Sequence, residues 1–126
     1  MKLTAYAVAV LGLLSAPAAA APSDVNAQVF YANAIALQKK GMGAMLDKRL
    51  RPMMSQMKDA GARVHAANTA AKAAGRPLYC VPEGTKRSRS AQEVIAMLGR
   101  VPEAERRAST LRDVWQRVLV REYPCR

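Results

Sequence analysis

The side chains in this sequence that could do chemistry are few: one histidine, two cysteines and nine acidic residues set against twenty basic ones. His65 stands beside an apolar stripe with no acidic or serine partner at the spacing of a catalytic motif. It therefore reads as a partly exposed structural histidine, not a general base. Glu103 and Glu105 sit among Arg100, Arg106 and Arg107. That setting favours surface ion pairing over a carboxylate pair split into acid and base roles. No glycine-rich phosphate loop and no His-Glu-x-x-His zinc helix occurs, and there is no Gly-x-Ser-x-Gly elbow. Cys80, Cys125 and His65 cannot supply a tetrahedral ligand set, so neither a metal nor another cofactor is expected. The sequence argues against an enzyme.

Binding is the remaining chemistry, and charge bounds the partner. The formal charge is +11, which in a cytoplasmic protein would point first to nucleic acid. The first twenty residues point elsewhere. Lys2, the apolar run Leu3 to Leu14 and the small residues Ser15 to Ala21 have the form of a secretory signal peptide, with cleavage expected after Ala20. The run is too short for an ordinary transmembrane helix, and an uncleaved N-terminal anchor is the competing reading. Residues 1–20 are thus expected to be a signal peptide and residues 21–126 one helical domain, placed in the periplasm or outside the cell. No nucleic acid and no stable membrane insertion is expected there. Anionic envelope polymers, lipid headgroups or an acidic protein surface become the candidate partners, and a merely solvated basic surface is the bland alternative. An oxidising compartment favours a bond between Cys80 and Cys125, worth about 4 kcal/mol by chain entropy, over a free reactive thiol.

The elements that must position these residues read as helices. Ser23 is the expected N-cap of a helix from about Asp24 to Lys40, stopped by Gly41. Ala44 to Arg49 reads as a short helical turn. From Leu50 to Ala74 the residues Leu50, Met53, Met57, Ala60, Val64, Ala67, Ala71 and Ala74 recur at spacings of three and four, with Pro52 in the first turn. The narrowing of this stripe from methionine to alanine predicts that a neighbouring helix approaches most closely at Ala67 to Ala74. Met45, Met53, Met54 and Met57 read as core filling before binding surface. Ser90 and Glu93 form a capping box for a third helix with Val94, Ile95 and Leu98 on its face, ending near Gly99. A charged turn from Pro102 to Arg107 follows, and Thr110 caps a last helix bearing Leu111, Val114, Trp115, Val118 and Leu119. The expectation is an all-α, single-domain bundle of about four helices closed by one disulfide.

The segment from Arg76 to Arg89 lacks helical periodicity and carries Pro77, Pro82 and Gly84. It reads as an ordered loop pinned by Cys80. Glu83, Lys86, Arg87 and Arg89 at its tip are the expected partner-binding residues, because one acid cannot neutralise three cations.

The second half also resembles a known family. Cys80-Val-Pro-Glu-Gly, the helix with Glu93-Val94-Ile95, Pro102 and the arginines before Leu111-Arg112-Asp113-Val114, then Leu119 and Tyr123-Pro124-Cys125, look like the C-terminal half of the Tai-type immunity family. The match covers roughly residues 78 to 125. These are small periplasmic all-helical proteins associated with type VI secretion. The resemblance implies a toxin inhibitor that blocks a secreted peptidoglycan amidase, allows a homodimer, and makes Cys80 and Cys125 a structural disulfide. A cationic envelope accessory protein that binds cell wall or another anionic polymer is the alternative.

Overall fold

The computed structural model describes residues 19–86 and 88–126. The signal-peptide expectation falls almost wholly outside the described residues, and so does Arg87. The described chain is all-helical: α1 (Ala27–Lys40), α2 (Leu50–Ala73), α3 (Ala91–Gly99), α4 (Glu103–Ala108) and α5 (Leu111–Glu122), with 3-10 turns at Pro22–Asp24 and Gly41–Leu46. Four of the helices are those expected, and α4 is the charged turn after Pro102. Among the described residues no strand forms, and a single antiparallel bridge joins Asn26 to Thr110.

The start of α1 differs from expectation. Asn26, not Ser23, is the cap, its side-chain oxygen accepting from the backbone N–H groups of Gln28 and Val29. Ser23 is fully buried one turn earlier, where its backbone N–H and its hydroxyl both donate to the Asp59 carboxylate on α2. A hydrogen bond across the fold thus outweighed a local cap that Asn26 could supply equally well. An ion pair of 3.1 Å between Arg112 and Asp24 ties the same turn to α5.

The caps at Ser90 and Thr110 form as expected, without the return bond from the Glu93 or Asp113 side chain that completes a capping box. The Ser90 hydroxyl accepts from Glu93 N–H, and the Thr110 hydroxyl from Asp113 N–H. Pro52 lies in the first turn of α2. The core gathers Phe30, Ala34 and Leu37 of α1, Met53, Ala60 and Val64 of α2, Met97 and Leu98 of α3, and Leu111, Val114, Trp115, Val118 and Leu119 of α5. The stripes of α2 and α5 meet as their periodicity predicts.

The expected close packing at Ala67 to Ala74 does not occur. Ala67 and Ala74 are exposed, and the last third of α2 runs beyond the helices that cover its beginning. Asn68 meets the chain instead: its side-chain oxygen accepts from Leu78 and Tyr79 N–H, and its amide donates to the Tyr79 carbonyl. A polar clamp replaces the small-residue helix contact, so the alanines need no partner. The methionines divide as well. Met53 is buried and Met57 half-buried, whereas Met45 and Met54 are exposed at 72% and 63%.

Candidate functional site: a basic-rimmed groove beside a stapled loop

The Asn68 clamp lays the strap Pro77–Val81 along one side of α2 and leaves an open groove of about 1510 Å³. One wall is α2, with Met53, Met57, Gly61 and His65; the other is the strap, the loop after it and Val94 and Ile95 of α3. Phe30, Ala34 and Leu37 of α1 and Trp115 and Leu119 of α5 reach it from below. The lining is mostly apolar, which suits a site that gains affinity by removing hydrocarbon from water. Its charged residues are Lys58, Lys72, Lys86 and Arg89 against one acid, Glu83. Burial pushes the Tyr79 phenol up from its ordinary pKa.

The loop is fastened at both ends to the end of α5. Cys80 and Cys125 form the expected disulfide, and Cys80 N–H donates to the Tyr123 carbonyl at 2.8 Å. At the far end the Arg89 guanidinium donates to the Tyr123 hydroxyl and lies 5.5 Å from the centre of its ring. Between these anchors the chain turns at Glu83 and Gly84, where φ is +80°, and Thr85 N–H closes the turn onto the Pro82 carbonyl. Only glycine adopts that φ readily.

The three described residues among the expected contacts differ in setting. Glu83 and Lys86 are exposed at the tip; Arg89 is half-buried and engaged by Tyr123; Arg87 lies outside the described residues. The sequence places Arg89 and Tyr123 in separate segments, so their pairing was invisible there. The same holds for Asn68, whose type and position carry no sign that it grips a strap ten residues on.

His65 lies on the groove wall; among the described residues it makes no ion pair with an acid, and no three His, Cys, Asp or Glu side chains converge. Glu103 pairs with Arg107 at 2.8 Å and Glu105 with Arg121 at 3.1 Å. No described helix is long and apolar enough to cross a membrane. The arrangement presents hydrocarbon between cations, which is chemistry for holding an anionic, partly apolar partner. Compared with known proteins, the chain matches no family model, no curated protein and no solved structure.

Proposed function

We propose that this chain is a non-catalytic inhibitor of the immunity type, working in the periplasm or outside the cell, whose partner is a secreted peptidoglycan amidase. One observation carries the reading: a loop anchored at both ends, by Cys80–Cys125 and by Arg89 on Tyr123, holds its tip exposed beside a basic, apolar groove. A loop already held in place loses little conformational entropy on binding, so its contacts contribute nearly their full value to affinity. The resemblance of residues 78 to 125 to Tai-type proteins supplies the class of partner. The uneven charge of the groove lining favours a partner with an acidic face, met through steered association.

The test is inhibition. The mature chain is mixed with purified peptidoglycan amidases of the type VI-secreted class, and peptidoglycan cleavage is followed. Stoichiometric loss of cleavage supports the reading, and Lys86→Ala with Arg87→Ala should slow association and lessen its salt dependence. Full amidase activity at saturating inhibitor, with salt-sensitive adsorption to isolated cell wall instead, would overturn it in favour of a cationic envelope protein.

A further inference from the structure

The glycines of α2 and α3 have opposite explanations. At Gly99 an added Cβ would lie 2.9 Å from the Tyr31 hydroxyl oxygen, so the packing of Tyr31 accounts for a glycine there. At Gly61, in the middle of the long helix, an added Cβ meets nothing within 4 Å. Glycine in a helix interior is destabilising relative to alanine, and here no internal contact asks for it. Gly61 lines the groove. A bare backbone at the middle of a groove wall is what the close approach of another chain would need.

We infer that the groove receives an acidic amphipathic α-helix of the protein partner, laid along α2 and crossing it at Gly61. This rests on the binding role proposed above. The groove follows α2 from Leu50 to Lys72, about 33 Å at helical rise, which accommodates a five-turn helix of about 27 Å. A helix of that length and about 10 Å diameter fills on the order of 2,200 Å³. An open groove of about 1510 Å³ has room to take up one side of such a helix and leave its acidic side at the rim. Small molecules occupy smaller and more enclosed sites, of about 300–1,000 Å³. Lys58 and Lys72 on one rim and Lys86 on the other form no ion pair among the described residues. They are placed to meet carboxylates on the helix's outer side, while Met54, Met57 and Ile95 meet its apolar stripe. Methionine suits such a wall because its unbranched thioether adapts to the incoming surface.

The test uses the full mature chain and a fluorescent five-turn peptide with a leucine stripe and a glutamate face. A scrambled peptide of equal charge, the all-lysine counterpart and oleate are the controls. The acidic helix is expected to bind, the scrambled and lysine peptides at least about tenfold more weakly. Gly61→Leu should weaken acidic-helix binding at least about tenfold, while the melting temperature holds or rises because leucine is the better helix former. That combination separates a blocked groove from a damaged fold. Acidic-helix binding that is absent or indifferent to Gly61→Leu overturns the inference. So does Gly61-dependent binding of oleate in place of the peptide, or a dimer that Gly61→Leu dissolves. If the amidase proves not to be a ligand while peptide binding keeps its dependence on Gly61, the inhibitor reading falls and the groove assignment stands. If the amidase is inhibited equally by the parent and Gly61→Leu, the groove assignment falls alone.

Discussion

Arg106 lies against Tyr31, its guanidinium carbon 4.1 Å from the centre of the ring. From there Nη1 donates to the carbonyls of Leu98, at 3.1 Å, and Val101, and Nε donates to the Gln28 side chain at 2.6 Å. Leu98 is in the last turn of α3, where the helix dipole favours a cation, and Val101 lies two residues beyond its end; the Leu98 carbonyl also accepts from the Val101 N–H at 3.2 Å. Arg106 is only 7% exposed, and among the described residues no carboxylate pairs with it. Oriented carbonyls and an aromatic face replace a counter-ion, and one side chain thereby joins α1, α3 and α4.

Arg106→Ala should cost about 2–4 kcal/mol in urea denaturation, since it takes the side-chain donor from the Val101 carbonyl, removes one of two donors from the Leu98 carbonyl and deletes the stacked cation. Arg106→Lys should recover less than half, because an ammonium cannot reproduce the planar fork that reaches both carbonyls while lying on a ring. A lysine variant as stable as the parent would show that charge alone suffices.

Trp115→Ala should cost about 3–5 kcal/mol, as Trp115 is 5% exposed between α2 and the floor of the groove. Thermal unfolding checks this, and a loss below about 1 kcal/mol would mean that neighbours collapse into the space.

What the sequence made legible was the part governed by period and local capping. Met53, Ala60 and Val64 on α2 and Leu111, Val114, Trp115 and Val118 on α5 announce their buried faces by spacings of three and four, and Ser90 and Thr110 announce helix starts. Ser23 misled because a hydroxyl that can cap a helix can equally bond across the fold, and Asp59, its partner, is distant in sequence. Arg106, Asn68 and Arg89 were illegible for the same reason: each looks like an ordinary polar surface residue until its tertiary partner is known. The groove is harder still, since it consists of side chains that are missing. The methionines of α2 and the basic loop were its traces in the sequence, but methionine fills cores as readily as it lines grooves.

Acid should destabilise the protein from about pH 4 downward. The Arg49 side chain, then Lys40 and the Arg49 backbone N–H, hold the Asp47 carboxylate far below its ordinary pKa. The Ser23 hydroxyl, then its backbone N–H and Arg63, lower that of Asp59, and Arg107 lowers that of Glu103. All three shifts are downward on folding, so the unfolded chain takes up protons first, near pH 4. Their stabilisation is complete above that pH and is lost as pH falls through the lower folded values. Denaturant midpoints should be level between pH 7 and pH 5 and fall steeply below pH 4. Asp59→Asn should lower the midpoint at pH 7 and make the acid limb shallower; an unchanged limb would place the titration elsewhere.

The two anchors of the loop should separate from its tip by their effects on stability. Cys80 and Cys125 are 45 residues apart, a loop whose closure is worth about 4 kcal/mol by chain entropy. Cys125→Ser should therefore lower the melting temperature by something on the order of 15 °C, and a thiol reductant should do the same to the parent. Arg89→Ala removes the contacts with Tyr123 and should cost about 1 kcal/mol, discounted because the pair is only half-buried. Lys86→Ala, at an exposed position, should stay within about 0.5 kcal/mol of the parent. Partner capture should sort the same variants differently. Lys86→Ala acts on the association rate and fades in salt, because its charge steers the encounter. Arg89→Ala persists in salt, because a loosened loop must be ordered again on binding. Equal salt dependence for the two would mean that Arg89, too, meets the partner directly and that its hold on Tyr123 gives way in the complex.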